Sequence, residues 1–328
     1  LSNASPAPHC RRPARDRGTL VFHHNGIGDY IMSLPALRLL ARAAPKPVCL
    51  VSGNVPASFL YDEIDVDRRL QADVLPAHFA HGFDPIDVRL PHAFDVFISL
   101  ATWIAPAIWR LAQQSGARTR MGFFSQFSLR LDVGDIHDFE RMFALALPFA
   151  PGARFEDFTA PCRLPPATPG ARASIAPGAK RLLVVHPDSR REKMWPVERY
   201  DALLRAFLDG APDWHVAVLN LPRDRLPLAL ETGRASVVLD TDLATSMRLV
   251  TEADLFLGID SCMLHVADLA RIPGVALFGP TRARQFGYRL GPNRFACNLE
   301  VGHGLDTLHG DRVLDALNEG RKEVEWPT

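Results

Sequence analysis

The chain has 328 residues, enough for two domains that each bury a sizeable core. Lysine plus arginine equals aspartate plus glutamate at 37 each, a balance that removes the electrostatic drive for extended contact with nucleic acid. Five scattered cysteines (Cys10, Cys49, Cys162, Cys262, Cys297) show no paired spacing, and no apolar run approaches the ~20 residues of a membrane span, so a reducing, cytoplasmic setting is expected.

Residues 1–18 form a tail rich in Pro, Ala and Arg without periodicity. From Thr19 the pattern is strand, glycine turn, helix: Leu20-Val21-Phe22 leads through Gly26-Ile27-Gly28-Asp29 to Ile31, Leu34, Leu37, Leu40 and Ala41 at helical spacing. Strands are predicted at 48–52 and 94–100, helices at 103–114 and 139–147. Seven prolines between Pro148 and Pro177 deny both helix and central strand and read as an interdomain connection. A second alternation follows, with strands at 182–185, 215–219, 236–239, 255–258 and 275–278 and helices at 197–209, 243–251 and 263–270. The expectation is an α/β protein of two doubly wound domains, 19–165 and 166–328, whose strand ends face a shared crevice.

Three loops at those strand ends carry candidate chemistry. In the first, His23 to Asp29, the glycines permit close backbone approach and leave helix-start amides free for an anion. Asp29 suits either a helix-dipole carboxylate or a general base for an attacking hydroxyl. Adjacent His23 and His24 point to opposite faces of a strand, so they are not expected to share a metal and count as packing or acceptor contacts. In the second, His186 to Pro196, Lys193 with Arg190 and Arg191 suits a diphosphate and Ser189 a phosphate oxygen; the alternative is a solvated charged loop. In the third, Asp260 ends a buried strand, Ser261 is placed to cap the following helix, and His265 lies one turn in, as a ligand contact or a core histidine. The turn Phe278-Gly279-Pro280-Thr281 lines the same pocket or merely turns the chain. No Walker loop, His-Glu-x-x-His helix or Gly-x-Ser-x-Gly elbow is present, and Gly26-x-Gly28 lacks the third glycine of a dinucleotide fingerprint.

Taken together and in order, these segments resemble glycosyltransferase family 9, which includes the lipopolysaccharide heptosyltransferases. Gly26-Ile27-Gly28-Asp29 with Ser33-Leu34-Pro35-Ala36-Leu37 is similar to its first signature, His186 through Lys193 with Trp195-Pro196 to its second, and Gly258-Ile259-Asp260-Ser261 with His265-Val266-Ala267 and Phe278-Gly279-Pro280-Thr281 to its last. The resemblance implies a GT-B fold and inverting, metal-independent transfer of a heptose-like sugar from a nucleotide diphosphate-sugar, with no further cofactor. It implies Asp29 as base and Lys193 as stabiliser of the departing diphosphate. Donor contacts would come from Gly28, Ser189, Lys193, Asp260, Ser261, Cys262, His265, Gly279 and Thr281. Acceptor contacts would come from His23, Asn25 and Arg120. The implied acceptor is a glycan or glycolipid at the cytoplasmic face of the inner membrane, with peripheral membrane contact and no nucleic acid. The chain departs from the pattern at His23, where arginine is usual, and at Cys262, where glycine is usual. It departs again at Asn220-Leu221-Pro222-Arg223-Asp224, which lacks a Gly-rich acidic stretch and leaves the nucleotide base open. A sugar-nucleotide epimerase and a non-catalytic sugar-nucleotide or glycan binder are the alternatives on the same architecture.

Overall fold

The computed structural model describes residues 17–325 apart from 76, 79–81, 133, 167–171, 173–174, 177, 220–232, 239–240 and 291–294. The tail to residue 16, the segment 220–224 and the end of the strand predicted at 236–239 therefore lie outside the described residues. Two six-stranded sheets make up the frame. The first contains β1 (Thr19–His23), β2 (Val48–Gly53), β3 (Arg68–Ala72), β4 (Val96–Ser99), β5 (Thr119–Gly122) and β6 (Leu129–Arg130), all parallel, in the order β3-β2-β1-β4-β5-β6. The second contains β7 (Arg181–His186), β8 (Trp214–Leu219), β9 (Ala235–Val238), β10 (Leu255–Ile259), β11 (Gly274–Phe278) and β12 (Ala296–Glu300), also parallel, in the order β12-β11-β10-β7-β8-β9. Counted from the first strand of each half, the two orders are the same. The expectation of two doubly wound domains holds.

The central strands are runs of apolar residues because helices cover both faces; β1, β4 and β10 are buried at every position. The helices of the first half are α1 (Ile27–Ala43), α2 (Pro106–Gln114) and α3 (Asp138–Ala144). The second half contributes α4 (Val197–Gly210), α5 (Leu243–Thr251), α6 (Cys262–Leu269), the single turn α7 (Ala283–Phe286) and α8 (Gly310–Glu325). Two predicted helices shorten. The one expected from Trp103 starts at Pro106, where proline suits the first turn, and the one expected to reach Leu147 ends at Ala144 and continues as a 3₁₀ turn containing Pro148. The amphipathic α8 was not anticipated; it buries Val313, Ala316, Leu317 and Val324 against the second half.

The halves pack on each other. One apolar cluster runs from Leu34 and Leu37 of α1 through Phe139 and Met142 of α3 to Leu264 and Val266 of α6. Arg38 of α1 fixes the connecting segment, donating to the carbonyls of Phe158 at 2.8 Å and Ala160 at 2.7 Å. α1 and α6 meet at their amino ends, where a Cβ on Gly28 would stand 3.0 Å from His265 Cδ2 and 3.7 Å from Cys262 Cα. No helix among the described residues is long and apolar enough to cross a membrane.

A methyl at position 28 presses on the buried His265 ring, which must give by a few tenths of an ångström, and overpacking of this kind costs about 1–3 kcal/mol. Gly28→Ala is therefore expected to lower the thermal midpoint by several degrees in a calorimetric scan. An unchanged midpoint would show that the contact has slack.

Candidate active site

In each sheet the strand order reverses beside its first strand, between β1 and β4 in one half and between β7 and β10 in the other. Open parallel sheets bind ligands outside the carboxyl ends of strands at that switch point, because the flanking loops diverge to opposite faces and leave a crevice. Here the two crevices face each other and enclose one cavity of about 600 Å³. Asn25 to Asp29 line it from the end of β1 and Thr102 from the end of β4. His186, Ser189 and Lys193 line it from the end of β7, and Asp260 to Cys262 with His265 from the end of β10.

Side chains tie the two exit loops together in each half. In the first, Asn25 donates Nδ2–H to Thr102 Oγ1 at 2.6 Å while its Oδ1 accepts the Gly26 N–H at 2.9 Å. In the second, Ser189 Oγ donates to the Asp260 carbonyl at 3.0 Å, and Lys193 Nζ donates to Asp260 Oδ2 at 2.5 Å. Lys193 keeps 17% of its side-chain surface and Asp260 only 6%, so Lys193 is built into the cleft and is not a solvated loop charge. Phe286 of α7 lies beneath the ammonium, its ring centre 5.9 Å from Nζ, a distance at which ring and cation attract.

Ser261 occupies the N-cap position of α6 but makes no side-chain cap bond; its hydroxyl lies 2.9 Å from His186 Nδ1 instead. Burial drives His186 and His265 down to about 4, so both rings are neutral at pH 7. His265 packs edge-on to Phe139, and its Nδ1 is buried without a hydrogen-bond partner among the described residues. The thiol of Cys262, pushed up to about 11 by burial, is likewise neutral. Among the described residues no group of three or more His, Cys, Asp or Glu is arranged to hold a metal ion.

Asp29 sits in the first turn of α1, where its amide donates to the Gly26 carbonyl at 3.0 Å. Its carboxyl is raised to about 7: burial contributes most, Asp138 and Asp260 add to it, and its own backbone amide and Lys193 pull the other way. A helix-capping carboxylate is held low, so this environment is that of a group poised to exchange a proton near neutrality.

Several expected contacts do not reach the cavity. His23 is fully buried; its Nδ1 lies 2.6 Å from the Tyr61 hydroxyl, its ring meets Tyr30 edge-on, and burial lowers it to about 3. It is a core histidine, not an acceptor contact, and the alternation along the strand that separates it from His24 is what points it inward. Arg120 stacks on Trp109, its guanidinium carbon 5.2 Å from the ring centre, away from the cavity lining. Gly279 packs against the His303 carbonyl, and Thr281 buries its hydroxyl; neither lines the cavity. Conversely, Asp138 and Arg141 of α3 and Gln285 of α7 do line it and were not anticipated. The available signal was Asp138 and Arg141 at i, i+3, a spacing that puts both on one helix face.

Comparison with known proteins places the chain. The sequence profile of glycosyltransferase family 9 (heptosyltransferase) matches residues 95–311, well over half of the 328, so the chain belongs to that family and is a glycosyltransferase. The match takes in the Lys193 and Asp260 loops and begins after the Asp29 loop. A solved glycosyl transferase family 9 structure from Veillonella parvula is 16% identical with TM-score 0.70, covering 94% of this chain and 98% of that one. The E. coli heptosyltransferase WaaC solved with ADP is 17% identical with TM-score 0.66, covering 92% and 99%. The E. coli ADP-heptose lps heptosyltransferase II is 16% identical with TM-score 0.62, covering 94% and 99%. The shared fold is GT-B. No curated protein matches the chain significantly. Family membership sets aside the epimerase and the non-catalytic binder as alternatives.

The raised carboxyl of Asp29 carries a stability consequence. Folded, it keeps its proton up to about pH 7; unfolded, it loses it near the ordinary carboxylate value of about 4. Stability is therefore lost as pH rises through that window and stays lost above it. Asp29→Asn is expected to unfold a few degrees higher than the parent at pH 8, with the difference vanishing toward pH 4. A variant less stable than the parent at pH 8 would contradict the assigned environment.

Proposed function

We propose that this glycosyltransferase moves a heptose-like sugar from a nucleotide diphosphate-sugar to an acceptor hydroxyl, with inversion at the anomeric carbon and without a metal or cofactor. The observation that carries the reading is that the Asp29 carboxyl and the Lys193–Asp260 pair, from different halves, line one cavity.

The Asp29 carboxylate takes the acceptor proton as the acceptor oxygen forms its bond to the anomeric carbon. The bond from that carbon to the diphosphate oxygen breaks on the opposite side, and the electron pair leaves with the nucleoside diphosphate. A base titrating near the working pH is ionised in a large fraction of molecules and still strong enough to accept the proton. Negative charge grows on the diphosphate as it departs. Lys193, Arg190 and the amino end of α6 form the cationic wall that meets it. Asp260, held by Lys193, has a second carboxylate oxygen for sugar hydroxyls, and the neutral His186 and His265 add hydrogen-bonding capacity without charge. The packed seam between the halves keeps water from competing with the acceptor.

Heptose and lipopolysaccharide enter through the relatives: the E. coli structures are a heptosyltransferase with ADP and an ADP-heptose lps heptosyltransferase II. We infer an acceptor that is a glycan or glycolipid, reached by peripheral contact with the cytoplasmic face of the inner membrane.

Single-turnover assays with ADP-heptose, and then with other nucleotide diphosphate-sugars, test the reading. Asp29→Asn should lower the rate by about 10²–10⁴-fold, the usual worth of a general base, with donor affinity retained. The product's anomeric proton coupling should report inversion. Near-normal transfer by Asp29→Asn, or retention of configuration, would overturn it.

A further inference from the structure

Asp138 is the first residue of α3 and is only 2% exposed in the cavity wall. A carboxylate so buried is costly unless it is held, and this one is held twice. Arg141, on the next turn of the same helix, lies 3.2 Å from Oδ1. Gln285 donates Nε2–H to that same oxygen, also at 3.2 Å, and comes from the other half of the molecule. The contact belongs to a seam. His137 accepts the Phe139 N–H at Nδ1, which leaves Nε2–H to donate to the Gly287 carbonyl at 2.9 Å, and Arg289 donates to Glu140 at 2.5 Å. Residues 137–140 and 285–289 thus find their partners in each other, and Asp138 has both of its own only when the halves are together.

We propose that Asp138 is a positioning residue through which the meeting of the two halves makes Asp29 competent as a base. The proposal rests on the assignment of Asp29 above. Asp29 shares the cavity wall with Asp138 and Arg141 from α3, Asp260 at the end of β10, Lys193 from the loop after β7 and His265 of α6, and it is near enough to Tyr61 to raise that phenol further. His265 and Tyr61 are neutral, the ring lowered to about 4 and the phenol raised well above its ordinary value by burial. Among the charged neighbours Asp138 pushes the Asp29 carboxyl up most, ahead of Asp260, while Lys193 opposes it. Burial and Asp260 raise the Asp138 carboxyl, while Arg141 and Gln285 hold it down; the Arg141 guanidinium lies between that carboxyl and the Phe123 ring. Remove the Asp138 charge and two changes follow in the same direction: the repulsion goes, and the charge of Arg141, which already lines the cavity, is no longer offset. Both leave Asp29 a weaker base.

The test reads Asp29 directly and without substrates. Protein labelled with ¹³C at the aspartate carboxyl carbons is titrated by NMR, the Asp29 resonance being identified by its loss in Asp29→Asn. The parent midpoint is expected near 7. Asp138→Asn should lower it by about one unit, the scale of a neighbouring like charge, and Gln285→Met should move it the same way by less. Asp138→Glu, which restores a carboxylate on that turn, should keep it near the parent value. An unmoved midpoint in a cooperatively folded Asp138→Asn overturns the proposal. An unmoved midpoint in Gln285→Met overturns its dependence on the meeting of the halves, and that variant decides alone if Asp138→Asn does not fold. Failure here is distinct from failure of the base assignment, which shows as retained transfer by Asp29→Asn.

Discussion

The ion pair between Lys193 and Asp260 is the constraint on which the second half's side of the cleft depends. Its two residues come from loops 67 positions apart in sequence, at the ends of neighbouring strands, and meet at 2.5 Å with little access to water. Breaking a buried pair by removing one partner typically costs 3–5 kcal/mol because it leaves the other charge uncompensated. The pair therefore locks the loop after β7 onto the loop after β10. Ser189 and His186 repeat the tie through the Asp260 carbonyl and the Ser261 hydroxyl. Local order in this region is thus bought by polar groups, which remain available to a polar ligand.

The first half's side of the cleft follows the opposite rule. Among the described residues Asp29 has no cation in an equally close pairing; Lys193 pulls its carboxyl down, yet burial and two neighbouring carboxylates outweigh that pull. Asymmetry between two carboxyl groups across one cavity is what assigns different work to each. Asp260 is paired with Lys193, whereas the Asp29 carboxyl is raised to about 7. Beneath it, Tyr61 bridges the Ser33 hydroxyl at 2.7 Å and the His23 ring at 2.6 Å, a fixed polar layer on which the start of α1 rests.

Much of this was legible in the residues, and the exceptions share a cause. Strands such as Leu20-Val21-Phe22 and Leu255-Phe256-Leu257 stand out because both faces are covered and every position is apolar. β3 and β12 do not, since their Arg68-Arg69-Leu70-Gln71 and Ala296-Cys297-Asn298-Leu299 runs are half exposed at the sheet edges. Asp29, Lys193, Asp260 and His265 were found because strand-to-helix loops in such sheets face the crevice. Asp138 escaped notice because an acidic residue in a first helical turn is ordinary, and its partner Gln285 is 147 positions away. His23 misled for a related reason. A histidine at a strand end suggests a rim, and only the tyrosines that fold over it, Tyr30 and Tyr61, put it in the core.

Hydrogen–deuterium exchange with and without a saturating nucleoside diphosphate, ADP and UDP each being tried, tests the convergence of the three loops most directly. Protection is expected in 186–193 and 259–266, the segments proposed to hold the diphosphate, and also across the cleft in 25–32, which neither strand nor loop connects to them in sequence. Protection confined to one half, or falling outside all three segments, would contradict the account.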